Sequence, residues 1–246
     1  MRYLLSRLPE RGASTRIMIY VIIPALNEEE AIAKVIADIP ESVAKVVVID
    51  NGSTDRTSEV ARKAGATVLN ESRSGYGYAC LKGIAYLKDQ QQDGDIIVFL
   101  DGDYSDYPEE LIALVAPIEK GDYDLVIGTR NNPLLQKGAL TPQQRFGNAL
   151  ATRLMSLFYG GNYTDLGPFR AISFDALDRL NMQDKTYGWT VEMQLKALKH
   201  RLSRLVDFAL PGNPSNGRLP NRPWKIFERP IPQRVGHAAP QSQARF

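Results

Sequence analysis

The chain has 246 residues, 43% of them hydrophobic and 24% charged, with a formal net charge of +2. That length can bury one large core or two small ones, and the composition is that of an ordinary globular protein rather than a disordered, collagen-like or membrane-embedded one. One cysteine, Cys80, excludes an internal disulfide framework and fits a reducing, cytoplasmic setting, and no apolar run approaches the ~20 residues of a membrane-spanning helix.

Residues 1–16 include Leu4-Leu5 but no apolar core adequate for a signal peptide, and read as a short leader. The first strand is expected over Ile17–Ile23. A loop through Pro24, Ala25, Asn27 and Glu28 then enters a helix that Asn27 is placed to cap and Pro40 ends. Val46–Ile49 is a second buried strand leading into Asp50-Asn51-Gly52-Ser53-Thr54-Asp55. Ser53 or Thr54 is expected to cap the next helix, which stops at Gly65. Thr67–Leu69 is a third strand, and a loop with Gly75 and Gly77 precedes a helix over about Tyr78–Lys88. Ile96–Leu100 is a strand of continuous apolar residues, followed by Asp101-Gly102-Asp103 and a helix from Pro108 to Lys120. Leu125–Ile127 closes this half at Arg130. The alternation of strand and helix argues for an α/β fold with a mainly parallel sheet.

Beyond Arg130 the pattern changes. A loop is expected to Thr141, a long amphipathic helix over Pro142–Phe158, an extended segment over Thr164–Ile172, and helices at about Phe174–Leu180 and Trp189–Lys199. Residues 211–246 hold seven of the fifteen prolines and six Lys/Arg against one acidic residue. They read as an irregular, solvated tail, although such a charge can also attract an anionic membrane surface. The organisation expected is therefore a leader, a domain over 17–210, and a tail.

Chemistry concentrates at the strand ends, where ligands bind in open α/β sheets. Asp101 and Asp103 lie two apart, and on extended backbone both would point to one side. A pair of carboxylates suits Mg²⁺ or Mn²⁺, which keep open positions for substrate phosphates; an ordinary acidic turn is the competing reading. Asp50 suits a nucleobase N–H or the capping of its own turn. Taken singly each site is explained by turn chemistry; taken together they are three coincidences at one sheet edge.

The segments Ile23-Pro24-Ala25-Leu26-Asn27-Glu28-Glu29, Val48-Ile49-Asp50-Asn51-Gly52-Ser53-Thr54-Asp55 and Leu100-Asp101-Gly102-Asp103, in this order, resemble family 2 glycosyltransferases of the GT-A fold. The resemblance is nearest to the polyprenyl-phosphate sugar synthases, such as dolichol-phosphate mannose synthase. It implies a doubly wound sheet, a UDP- or GDP-linked sugar as donor, and a polyprenyl phosphate acceptor. Nucleic acid is not an implied partner. In the resemblance Pro24, Ala25, Asn27, Glu28, Asp50, Gly52 and Ser53 hold the nucleoside, while Asp101, Gly102 and Asp103 form the metal motif. Ser74–Ala79, with Gly75 and Gly77, looks like the segment whose backbone nears the donor, with Arg73 as a further contact. Arg130 and Arg145 resemble two arginines that face phosphate, which a guanidinium fork suits. Thr164–Ile172, with Asp165 and Arg170, and Gly188–Met193, with Trp189 and Glu192, resemble the acceptor side, where Glu192 is a candidate to orient an acceptor or Arg170. The family's glutamine two residues after the second aspartate is Ser105 here, and the Pro/Arg-rich end departs from the family pattern.

These readings imply an inverting, metal-dependent hexosyltransferase working in the cytoplasm, at the inner face of the cell membrane through peripheral contact. Two rivals are weighed. An inactive nucleotide-sugar-binding protein would keep the pocket but lose acceptor chemistry through its altered end. A nucleotidyltransferase would need a glycine-rich loop after the first strand, where this chain has Pro24-Ala25-Leu26-Asn27.

Overall fold

The computed structural model describes residues 16–129, 167–200, 202 and 205–209. The expected leader, the 142–158 helix, the tail, and with them Arg130, Arg145 and Asp165, lie outside the described residues. The strands are β1 (Ile19–Ala25), β2 (Lys45–Asp50), β3 (Thr67–Asn70), β4 (Ile96–Phe99), β5 (Leu125–Thr129), β6 (Arg170–Ser173) and β7 (Leu205–Ala209). The helices are α1 (Ile32–Ala37), α2 (Thr57–Lys63), α3 (Tyr76–Leu87), α4 (Leu111–Glu119), α5 (Phe174–Leu180) and α6 (Trp189–Lys199), with a 3-10 turn at Pro108–Glu110 leading into α4.

The seven strands form one sheet in the order β3-β2-β1-β4-β6-β5-β7. Side chains alternate between two buried faces, as period-two strands require when both faces are covered. Val21, Ile23, Val48, Ile96, Val98 and Val126 face α1, α2 and α4, while Tyr20, Ile22, Val47, Ile97, Phe99 and Ile127 face α3, α5 and α6. The doubly wound, mainly parallel architecture is as expected. β6 is the exception, running antiparallel between β4 and β5 with Arg170 opposite Phe99 and Ile127. Because the chain winds from β1 outward to β3 and returns to β4 on the other side of β1, the sheet has a topological switch between β1 and β4.

Several local expectations are corrected. Asn27 does not cap α1: it sits at φ 58, and Ala31 precedes the helix. The Glu28 carbonyl instead accepts the N–H groups of Ala31 and Ile32. Neither Ser53 nor Thr54 caps α2; the Asp55 carboxylate accepts the Thr57 N–H at 2.9 Å. The helix expected from Tyr78 begins at Tyr76, because Gly75 at φ 145 turns the chain there.

Candidate active site

The first two strand-end loops interlock. Ala25 is in register with Asp50, and the Ala25 carbonyl accepts the Asn51 N–H. The Asn27 N–H donates to Ser53 Oγ (2.9 Å), and Asn27 Oδ1 accepts the Thr54 N–H (2.8 Å). The Glu28 N–H donates to Thr57 Oγ1 (2.7 Å), and the Glu29 N–H to Asp55 Oδ2 (3.2 Å). Polar residues thus fill Asn27–Glu29 and Ser53–Thr57 because each loop satisfies the other's backbone. Gly52, at φ 94, makes the turn between them with open space around it.

Asp50 lies at the base of this unit and is buried. Its Oδ1 accepts the Ser53 N–H (2.8 Å), and its other oxygen accepts the Ser58 hydroxyl. Burial pushes its carboxyl up, but the hydrogen bonds from Ser58, Ser53 and Gly52 outweigh it and hold it below the usual range. Asp50 therefore caps its own turn.

The acidic turn packs onto the first of these loops and the start of α1. A Cβ on Gly102 would meet Ile32 at 3.3 Å, Glu28 at 3.4 Å and Ala25 at 3.5 Å. The expectation of two carboxylates side by side on extended backbone is corrected. The strand ends at Phe99, the chain turns at Gly102-Asp103, and Tyr104 sits at φ 59. Exposed Asp103 caps this turn, its Oδ1 accepting the Ser105 N–H at 2.9 Å. Asp101 turns inward, where its Oδ1 accepts the Tyr76 hydroxyl at 3.1 Å. The strained turn is braced by α1: the Tyr104 hydroxyl donates to Asp38, and Lys34 Nζ lies 4.0 Å from the Tyr104 ring centre.

Among the described residues no group of three His, Cys, Asp or Glu side chains is arranged to hold a metal ion. What is present is surplus negative charge: burial, then Asp103 and Asp55, raise the Glu28 carboxyl above its ordinary value. That donor set does not make a closed cage. It fits a hard cation carried in on substrate phosphates and held through one or two carboxylates.

The glycine segment is covered by another loop. Gly75 and Gly77 are small because another loop lies on them: a Cβ would come within 2.2 Å of the Lys185 carbonyl oxygen and 2.1 Å of that of Asp184, respectively. The Gly77 and Tyr78 N–H groups donate to the carbonyls of Thr186 and Lys185. Asn51, which entered above only as part of the second motif, links this segment to β2. Its Oδ1 accepts the Gly75 N–H (2.8 Å), and its Nδ2 donates to the carbonyls of Glu71 (3.1 Å) and Arg73 (2.8 Å).

Arg73 is engaged with buried Glu71, with Nε and Nη2 each 2.8 Å from a carboxylate oxygen, and it stacks 4.5 Å from the Tyr78 ring centre. The Arg73 side chain and N–H, followed by the charges of Arg73 and Lys82, hold the Glu71 carboxyl at about 2. The folded-state value lies below the unfolded one of about 4.3. Glu71's contribution to stability is therefore fully present above about pH 4.3 and is lost as the pH falls toward 2. The stability deficit of Glu71→Gln is expected to shrink over that acid range, read by urea unfolding at successive pH values. A deficit that stays constant down to about pH 2 would contradict the assignment.

On the expected acceptor side, Arg170 and Trp189 are fully buried. Arg170 Nη1 donates to the Thr190 carbonyl at 3.1 Å and Nη2 to the Gly167 carbonyl, tying β6 to the start of α6. Trp189 packs edge-on against Phe99, centroids 5.9 Å apart. Glu192 does not reach Arg170 by any hydrogen bond described; it accepts the N–H groups of Gln183 (3.0 Å) and Asp184 (2.7 Å) and pairs with Lys196 at 2.8 Å. These three residues build the floor and the 183–187 loop rather than one exposed surface.

Comparison with known proteins follows this geometry. Residues 20–180 match the model of Glycosyl transferase family 2. Glycosyltransferase AglJ of Haloferax volcanii is 32% identical over 188 residues, covering 76% of this chain and 60% of that protein. A dolichyl-phosphate hexose transferase of the same organism is 36% identical over 150 residues, or 59% of this chain and 61% of that one. This chain thus spans about three-fifths of the length of either relative. Among solved structures, glucosyl-3-phosphoglycerate synthase from Mycobacterium tuberculosis, in complex with Mn²⁺, uridine diphosphate and glucosyl-3-phosphoglycerate, superposes with a TM-score of 0.65 at 26% identity. The match covers 82% of this chain and 73% of that one.

Proposed function

We propose that this chain, which belongs to glycosyl transferase family 2, moves a hexose from a UDP- or GDP-linked sugar to a polyprenyl phosphate, with inversion at the anomeric carbon. The observation that carries this reading is the packing of the Asp101-Gly102-Asp103 turn, through Gly102, onto the β1 loop and α1, that loop being itself interlocked with the loop of β2. A nucleoside held by Pro24, Ala25, Asn27, Glu28, Asp50, Gly52 and Ser53 presents its diphosphate toward that turn. The relative named as a dolichyl-phosphate hexose transferase supports a lipid phosphate as acceptor.

In this reading Asp50 accepts from the base, and the interlocked loops fix the ribose side. Asp101 and Asp103 would hold Mg²⁺ or Mn²⁺, whose chemistry is Lewis-acid neutralisation of charge on the departing diphosphate. An acceptor phosphate oxygen attacks the anomeric carbon as the bond from that carbon to the diphosphate oxygen breaks. The nucleophile is already an anion, so no proton is moved and no general base is required. Arg130 and Arg145 are assigned to acceptor phosphate by the family resemblance and the chemistry of the guanidinium fork. Among the described residues no helix is long and apolar enough to cross a membrane. Contact with the cytoplasmic membrane face would therefore be peripheral for the described part.

A second acceptor class is favoured by one observation: the structural relative is a complex with glucosyl-3-phosphoglycerate, a small soluble product. One experiment separates the readings. The chain is incubated with Mn²⁺ and radiolabelled UDP-glucose or GDP-mannose, with polyprenyl phosphate or phosphoglycerate, and extracted with organic solvent. Label in the organic phase is expected. Label confined to a new aqueous product moves the acceptor to a soluble phosphate, and nucleotide binding with no transfer to either leaves only a nucleotide-sugar-binding protein.

A further inference from the structure

The first turn of α3 is where three separate parts of the site meet. From β2, Asn51 Oδ1 holds the Gly75 N–H at 2.8 Å. From the far side, the Lys185 and Thr186 carbonyls accept the Tyr78 and Gly77 N–H groups, which satisfies two amides of the helix's first turn. That loop is itself clasped by Glu192, through the N–H groups of Gln183 and Asp184. Between these anchors, the Tyr76 side chain packs against the core beneath the sheet edge, and its hydroxyl reaches Asp101 Oδ1 at 3.1 Å. The buried Cys80 thiol lies one turn along α3, beside the same hydroxyl.

We propose that Tyr76 is a positioning residue for Asp101, aiming that carboxylate at the donor diphosphate, with the α3 turn held in place by Asn51 and the 184–186 carbonyls. The inference rests on the donor-site reading above. A strand-end carboxylate next to a turn has free side-chain torsions, and Asp103 uses its own turn to restrain them. Asp101 takes a restraint from a different element. The phenol suits the task because it donates one hydrogen bond from a rigid ring whose position is set by backbone contacts on both sides. The arrangement also gives the two glycines a purpose other than approach to the donor: without them the 184–186 carbonyls could not lie on α3, and Tyr76 would not be held in line with Asp101.

The test is Tyr76→Phe, which keeps the ring and removes only the hydroxyl. Binding is measured directly, by calorimetry of uridine diphosphate in Mn²⁺ and in chelator, and by Mn²⁺ titration at fixed nucleotide. The apparent Mn²⁺ affinity is expected to fall by about tenfold or more, the scale of a lost ligand-orienting partner, with nucleotide affinity in chelator unchanged. Unchanged Mn²⁺ affinity overturns the inference. So does an equal loss with and without metal, which marks a general structural role. A wild-type chain that binds no uridine or guanosine diphosphate in Mn²⁺ overturns the proposed function first, and is distinguished by the wild-type titration alone.

Discussion

Asp103→Asn is expected to reduce sugar transfer and Mn²⁺-dependent nucleotide binding by more than about a hundredfold while leaving the Tm close to wild type. The size follows from the role proposed: loss of a residue that merely supports a metal ligand already costs about 10–100-fold in metal affinity or activity. The preserved fold follows from the geometry. Asp103 is exposed, and its only structural hydrogen bond described is from the Ser105 N–H to Oδ1. An asparagine amide oxygen accepts that bond equally well, so the turn survives and only the charge is lost. The substitution also relieves Glu28, whose carboxyl is raised in part by the Asp103 charge. Transfer assays, Mn²⁺ calorimetry and a thermal melt on one preparation decide the matter. Full turnover of the variant, or of the wild type in excess chelator, would remove the metal from the mechanism.

Gly77→Ala should be strongly destabilising through steric overlap alone, since this glycine has no positive φ to add backbone strain. The added Cβ would stand 2.1 Å from the Asp184 carbonyl oxygen and 2.8 Å from the Asp184 and Lys185 carbonyl carbons. These are backbone atoms, which cannot rotate away as a side chain does. Either α3 or the 183–187 loop must move, breaking the hydrogen bonds from Gly77 and Tyr78 to that loop. Overpacking of this kind costs about 2–3 kcal/mol, or on the order of 5–10 °C in Tm for a domain of this size. Gly52→Ala is the internal comparison. Its φ of 94 disfavours a side chain, yet nothing lies within 4 Å of the added carbon. The cost there is the backbone term alone, about 1–2 kcal/mol. Melts that show the two variants equally affected would mean that the loop gives way without penalty, and that its seat on the glycines is loose.

How far each feature was legible follows from the range of the forces involved. β1, β2 and β4 are continuous apolar runs because both faces of the sheet are covered, and a run of that kind is visible in a window of a few residues. The same holds for α5 and α6, whose bounds at Phe174–Leu180 and Trp189–Lys199 match the amphipathic pattern residue for residue. The sheet edge that gathers Asn27, Asp50 and Asp101 was legible too, since every parallel strand delivers its C-terminal end to one side.

What the tertiary structure decided is the set of partners, which depend on contacts between residues far apart in the chain. Asn27 reads as a helix cap because helix caps are local, but its amide is claimed by Thr54, 27 residues on. Arg73 reads as a donor contact or an exposed cation, and its pairing with buried Glu71 is visible only in the folded chain. The antiparallel seat of β6, and with it the burial of Arg170, is absent from any strand pattern, because four residues specify a strand without specifying its neighbours or direction. The Gly75-Tyr76-Gly77 segment shows the division most directly. Its sequence announces a backbone that must be approached closely, and that much is local steric chemistry. Whether a phosphate or a carbonyl makes the approach depends on where residues 184–186 lie, more than a hundred residues later, and only the packed chain determines it.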